Sequence, residues 1–157
     1  MTMKTLKLRF IGPSDWPEVM DIEKASFDYP WLEIEFRNFV REEGTTCLVG
    51  EMDCEVVGYV VYSRMAGGIF LNNIAVHQKY RRNGVGRDLL SAVKGRVHGR
   101  WNYLFTDVSE YSLDAQLFLR SQGFSWTETI TEYFDDFAPH EAAYRMVWYP
   151  GGDDDQQ

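Results

Sequence analysis

Hydrophobic and polar positions along the chain change period several times, and each change marks an element. Lys4 to Phe10 alternates charged and apolar residues, the period of a half-buried strand. Gly12-Pro13-Ser14-Asp15 breaks it, with Ser14 or Asp15 placed to cap a helix. Apolar residues at 16, 19, 20, 22 and 27 then fall mostly on one helical face, up to the interruption at Tyr29-Pro30. Ile34, Phe36, Phe39 and Val40 predict a second helix from Trp31 to about Glu42. Thr45 to Glu51 and Val56 to Met65 read as strands joined by a Met52-Asp53-Cys54-Glu55 hairpin. Gly67-Gly68 turns the chain into Ile69 to Val76, completing an expected antiparallel meander. Val85, Leu89, Val93 and Val97 recur every four residues and predict a helix over Val85 to Val97. A strand at Tyr103 to Val108 follows, then a helix from Leu113 to Ser121 stopped by Gly123. Phe124 to Tyr133 and Ala143 to Tyr149 make a last strand pair. The class is α/β, with residues 1–150 expected to be one domain and 151–157 a disordered acidic tail.

The segment Asn72 to Leu90 is the most informative. An apolar strand runs into a basic, glycine-containing turn, Arg81-Arg82-Asn83-Gly84-Val85-Gly86-Arg87, which opens an amphipathic helix. The first N–H groups of a helix have no partner within it and lie at the positive end of its dipole. Gly84 and Gly86 carry no side chain, so an anion can approach the backbone, and Arg81, Arg82 and Arg87 add positive charge there. This pattern fits a phosphate or pyrophosphate. A plain exposed turn that starts a helix is the simpler alternative.

Composition narrows the partners. The 157 residues carry a net charge of −8, which argues against general nucleic-acid binding. A local basic turn in an acidic protein suits a compact anionic ligand, and the acidic remainder suits a cationic substrate such as an amine or basic peptide. Acidity that serves only solubility reads equally well. No apolar run approaches a membrane span, and Met1 to Phe10 has no signal-peptide core, so no membrane partner and a cytoplasmic location are expected. Cys47 and Cys54 flank the hairpin turn and read as two free, part-buried thiols. His77, His98 and His140 show no metal-ligand spacing, so no metal is expected.

Arg81-Arg82-Asn83-Gly84-Val85-Gly86 resembles the Arg/Gln-x-x-Gly-x-Gly/Ala loop of the GCN5-related N-acetyltransferases, the GNAT superfamily. Asn73-Ile74-Ala75-Val76 precedes the loop at that family's spacing, and Ser112-Leu113-Asp114-Ala115 to Gly123-Phe124 resembles its Asn-x-x-Ala…Gly-Phe segment. Within the superfamily the chain is most similar to RimI-like enzymes, which acetylate the N-terminal α-amine of a ribosomal protein. Glu23…Phe27-Asp28-Tyr29-Pro30-Trp31 and Glu141-Ala142-Ala143-Tyr144-Arg145-Met146 carry that resemblance. It implies a mixed, mostly antiparallel twisted sheet of about seven strands flanked by about four helices. It also implies transfer of an acetyl group from acetyl-CoA to a primary amine by direct attack, most naturally a protein or peptide N-terminus. The same chemistry on a polyamine, an aminoglycoside-like compound or a lysine is the alternative, as is a degenerate module that binds acyl-CoA without transfer.

The resemblance assigns roles. Backbone N–H groups from Arg82 to Arg87 would bind the pyrophosphate. The backbone of Ile74, Ala75 and Val76 would pair with the pantetheine arm, and Ser112 stands where the family has an Asn that meets the cofactor, although it also fits an ordinary helix cap. Asp107 stands where RimI-like enzymes carry a Glu, which makes it the first choice of base, directly or through water, with Glu110 behind it. The alternative for Asp107 is an acid that caps the turn after its strand. Tyr29, Trp31, Tyr133 and Phe134 are placed to wall the amine side, unless they pack the core. Many GNATs carry a Tyr four residues after the Ala of the Asn-x-x-Ala segment, and here that position is Leu119, which donates no proton. Tyr111, Tyr133 and Tyr144 are other phenols within reach of the argument. A CoA thiol has a pKa of roughly 8–9, like that of cysteine, so its thiolate can also leave unprotonated.

Overall fold

The computed structural model describes residues 5–134 and 140–151. The expectations for Lys4 and for the tail beyond Gly151 fall outside them. Among the described residues the elements are β1 (Lys7–Phe10), α1 (Trp16–Ser26), α2 (Glu33–Val40), β2 (Thr45–Met52), β3 (Glu55–Arg64), β4 (Gly68–Val76), α3 (Val85–Lys94), β5 (Tyr103–Ser109), α4 (Leu113–Ser121), β6 (Ser125–Ile130) and β7 (Ala143–Trp148). Short 3-10 turns stand at Pro13–Asp15 and Gln78–Tyr80. The seven strands form one sheet in the order β1-β2-β3-β4-β5-β7-β6. β1–β2, β2–β3, β5–β7 and β6–β7 are antiparallel, and β4–β5 is parallel. This is the expected mixed, mostly antiparallel sheet with four α-helices.

The contacts group the chain into two compact units: Met1–Arg64 with Leu71–Arg96, and Met65–Phe70 with Val97–Gln157. In the first, Trp16, Val19, Met20 and Ile22 of α1 and Phe36 of α2 pack on Cys47, Val49, Tyr59, Val61 and Ala75 of the strands. Phe36 is central, with edge-on contacts to Trp16, Trp31 and Tyr59 at ring distances of 5.1, 4.8 and 5.6 Å. Helix α3 buries Val85, Leu89, Leu90 and Val93, the stripe its four-residue spacing predicts. It lies so close to β3 that a Cβ on Gly58 would meet Leu89 at 3.1 Å and Val85 at 3.3 Å, besides the Ala75 carbonyl of β4 at 2.9 Å. The second unit buries Leu104, Leu119, Phe124, Ala143, Met146, Val147 and Trp148.

Several boundaries differ from expectation, each for a local reason. α1 stops at Ser26 because Phe27 is extended (φ −130°, ψ 141°). α2 begins two residues late, after an extended Leu32 whose N–H donates to the Glu35 carboxylate at 3.3 Å. α3 ends at Lys94, before Gly95, and Val97 is buried outside the helix. β6 ends at Ile130, and Glu132 turns the chain with φ +58°. The expectation of two part-buried thiols is corrected: Cys47 is buried and Cys54 exposed. Cys47 faces the core from β2, and burial pushes its thiol up to about 12. Asp53 and Cys54 form the tip of the hairpin with φ of +50° and +64°, the left-handed pair of a type I′ turn.

Candidate active site

The anion-binding turn is built in the first unit. After β4 the chain makes a single 3-10 turn, where the His77 Nδ1 accepts the Lys79 N–H at 3.1 Å. Tyr80 is buried beneath the turn and donates its hydroxyl proton to Glu55 at 2.9 Å. Arg82 and Gly84 then adopt left-handed conformations, with φ of +65° and +79°. Gly84 is the N-cap of α3, and a Cβ there would meet the Arg87 guanidinium at 2.8 Å. The first helical bond runs from Asp88 N–H to the Gly84 carbonyl at 3.0 Å. The amides of Val85, Gly86 and Arg87 therefore have no partner within the helix. Arg82, Asn83 and Arg87 are exposed around them. Arg81 behaves differently: its Nε donates to the Val76 carbonyl at 3.1 Å and a terminal nitrogen reaches Ser26 at 3.4 Å. That side chain braces the turn against the end of β4. Bare amides, a glycine held at positive φ and two exposed arginines suit a diphosphate.

Strand β4 leads into this turn. Its pairing with β5 is confined to Gly68–Phe70 against Tyr103–Phe105. Asn72 and Asn73 point to opposite faces, as successive strand residues must. Asn72 donates to Ser63 at 2.8 Å, and Asn73 donates to Glu23 at 2.8 Å. Glu23 is 2% exposed and also accepts the Trp31 backbone N–H at 3.1 Å and the Tyr59 hydroxyl. Of the aromatics placed at the acceptor side, Tyr29 is 73% exposed. Trp31 instead packs edge-on against Phe36 and Phe39, at 4.8 and 5.2 Å.

The second unit holds the residue placed first for proton transfer. Asp107, Arg145 and Glu128 face one another across β5, β7 and β6. Arg145 donates to both oxygens of Asp107, at 2.8 and 3.0 Å, and reaches Glu128 at 3.4 Å. The Asp107 side chain is 2% exposed and Arg145 33%. The hydrogen bonds to Asp107 hold the Arg145 guanidinium above its ordinary value, so it stays a cation. Tyr133 lies near enough to Asp107 to feel its charge. Burial, then the charge of Asp107, raises the phenol above its usual range and keeps it protonated. Two carboxylates share one guanidinium, so the row carries net negative charge. It is a setting for an ammonium.

The other residues placed by sequence divide clearly. Glu110 is engaged: its carboxylate accepts the Ala142 N–H at 2.9 Å. Ser112 is the exposed N-cap of α4, and its side chain makes no cap hydrogen bond. Leu119 is 3% exposed, a core residue, and the Phe124 N–H closes the helix end on its carbonyl at 3.0 Å. Tyr111 is 75% exposed. Phe134 stacks edge-on with Tyr133 at 4.8 Å. Sequence reasoning missed Arg145 as the partner of Asp107. The signal is the register that sets Arg145 opposite Asp107, which becomes visible only once β5 and β7 are paired.

The acetyltransferase (GNAT) family profile matches residues 16–124, more than half of the chain. The chain belongs to the GNAT family. It is an acetyl-CoA-dependent N-acetyltransferase by that membership, and the matched residues include the turn at residues 81–87. An uncharacterized N-acetyltransferase of Methanocaldococcus jannaschii is 24% identical over 131 residues, 82% of this chain and 84% of the relative. The ribosomal-protein-S18-alanine N-acetyltransferase of Escherichia coli superposes with a TM-score of 0.77 at 21% identity, covering 92% of this GNAT and 94% of the other chain. NAA60 of Arabidopsis thaliana, solved in complex with acetyl-CoA, gives a TM-score of 0.77 at 17% identity over 93% and 99% of the two chains. At those identities the likeness is one of fold. Among the described residues no helix is long and apolar enough to cross a membrane.

Proposed function

We propose that this GNAT acetylates the N-terminal α-amine of a protein or peptide in the cytoplasm. The observation that carries the reading is the buried Asp107 carboxylate, held by Arg145 in a row of net negative charge that also includes Glu128. An α-ammonium is the simplest cation that such a row attracts and deprotonates. The RimI-like segments around Glu23–Trp31 and Glu141–Met146 support a peptide acceptor, as does the likeness to the S18-alanine enzyme and to NAA60.

Acetyl-CoA, when bound, supplies the acetyl thioester. The amides of Val85, Gly86 and Arg87, with Arg82, Asn83, Gly84 and Arg87 around them, hold its diphosphate. Arg81 keeps that turn on β4, and the Ile74–Val76 backbone offers amide and carbonyl groups to the pantetheine arm. Ser112 lends its uncommitted hydroxyl. Asp107 receives the acceptor's proton through a bridging water, because both its oxygens already accept from Arg145. Tyr133 keeps its proton beside Asp107 and is placed to meet the acceptor, while Arg145 fixes the carboxylate's orientation. Tyr29 meets the acceptor from the α1–α2 connection. The buried Leu119 supplies no acid, and none is required for a thiolate of ordinary acidity.

Release of free CoA in the presence of acceptor separates an enzyme from a degenerate acyl-CoA module. Asp107→Asn lowers turnover of a peptide with a free N-terminal alanine by about a hundredfold, within the range removed with a general base. The stabilisation of the protein by acetyl-CoA stays intact. Unchanged turnover removes Asp107 as the base, and turnover of small amines alone removes the peptide reading.

A further inference from the structure

Glu23 makes a set of interactions in the first unit that the proposed chemistry does not use. It lies in α1, 2% exposed, and its carboxylate accepts from three neutral donors. They come from three places: the backbone N–H of Trp31 in the α1–α2 connection, the Tyr59 hydroxyl of β3 and the Asn73 amide of β4. A buried carboxylate with this many donors is expensive to disturb, because each donor would be left unpaired. Tyr59 is fully buried, and that burial with the charge of Glu23 keeps its phenol protonated as a donor.

Each contact fixes something different. The bond to Asn73 holds β4 one residue before Ile74–Val76. The bond to Trp31 holds the end of the connection that carries the exposed Tyr29 and Leu32. Trp31 cannot swing away, since its ring is clamped by Phe36 and Phe39. Tyr59 anchors the carboxylate itself to the middle of the sheet. One side chain therefore joins the connection to the strand.

We infer that Glu23 is a positioning residue for the acceptor: through Trp31 and Asn73 it sets the α1–α2 connection against the strand that takes the acyl-CoA arm. This rests on the reading that the connection faces the acceptor. A carboxylate that only stabilised the core would affect binding of both substrates alike. A positioning carboxylate affects the acceptor selectively, since small misplacements of a bound reactant have large kinetic effects.

The test is steady-state kinetics with acetyl-CoA and a peptide bearing a free N-terminal alanine, on Glu23→Gln and on the milder Tyr59→Phe. Hydrogen exchange of residues 27–32 is followed in parallel. Both variants are expected to raise the peptide KM, on the order of tenfold for Glu23→Gln, with the Kd for acetyl-CoA unchanged. Exchange at residues 27–32 accelerates while that of α3 does not. An unchanged peptide KM in a folded variant overturns the inference, as does an equal loss in both substrates. If the wild-type protein does not acetylate the peptide, the acceptor reading fails, and the exchange data still decide whether Glu23 holds the connection. If Glu23→Gln does not fold, Tyr59→Phe carries the same two readouts.

Discussion

Asp15 shows how a single residue's charge stabilises this fold. It is 3% exposed, at the end of the Gly12–Asp15 turn. Arg9 donates to both of its oxygens, at 2.7 and 2.8 Å, and the Gly12 N–H donates at 2.6 Å. The Arg9 guanidinium holds this carboxyl below the ordinary carboxylate range, against the opposing effect of burial. Because the folded value is depressed, the stabilisation is present above the unfolded carboxyl's pKa, about 3.9. It is lost as pH falls through the folded value. Asp15→Asn should therefore lower stability at pH 7 by about 2 kcal/mol, the size of a hydrogen bond to a charged group. Denaturant unfolding should show the gap to wild type shrinking below about pH 4. A gap that is constant with pH contradicts the assignment. Glu23 and Asp107 show two other ways to bury a carboxylate, with neutral donors in one case and a cation in the other. None of these pairings is legible in sequence. Glu23 finds its donors 8, 36 and 50 residues away, and Asp107 finds Arg145 38 residues away.

Among the elements, periodicity was most informative where one face is buried. The stripe of α3, the β2–β3 hairpin and the end of α4 at Gly123 were all legible, because short-range spacing and turn chemistry determine them. Ends were less so. Phe27 and Leu32 leave the helical region at either side of the connection that Glu23 holds, a contact from distant sequence. The glycine turn that opens α3 was legible as a turn, but the folding-back of Arg81 was not, since it depends on where Val76 and Ser26 come to lie. The close approach of α3 to β3 gives an element-scale test. Gly58→Val places atoms against the Ala75 carbonyl and against Leu89 and Val85. Overpacking of this kind costs about 1–3 kcal/mol, and here it pushes on the start of α3. The variant should melt at lower temperature and also gain less stabilisation from acetyl-CoA than wild type does. A variant that loses stability but responds fully to acetyl-CoA would uncouple the β3–α3 contact from the cofactor turn.

At the scale of the molecule, the alternation of strand and helix signals was enough to anticipate the class and the order of the elements, and the resemblance implied the mixed, mostly antiparallel sheet that is found. The glycine-containing turn pointed to a phosphate, and its resemblance to the GNAT loop pointed to acetyl-CoA; the chain's family membership supports acetyl-CoA use. The acceptor is written less plainly. The residues proposed for it, Tyr29, Asp107 and Tyr133, are single positions in separate segments, and the proposal for Asp107 depends on a partner, Arg145, that only folding supplies. The net charge of −8 is compatible with a cationic acceptor, and the proposal for Asp107 calls for one, but neither names it. The central claim is that acetyl-CoA's acetyl group goes to an α-amine. The most direct measurement is mass-spectrometric mapping of a peptide that carries both a free N-terminal alanine and an internal lysine, after incubation with the protein and acetyl-CoA. The account predicts one acetyl group, on the N-terminus, and no reaction of the same peptide once that N-terminus is blocked. Acetylation of the lysine in the blocked peptide, with the free N-terminus untouched, would contradict it.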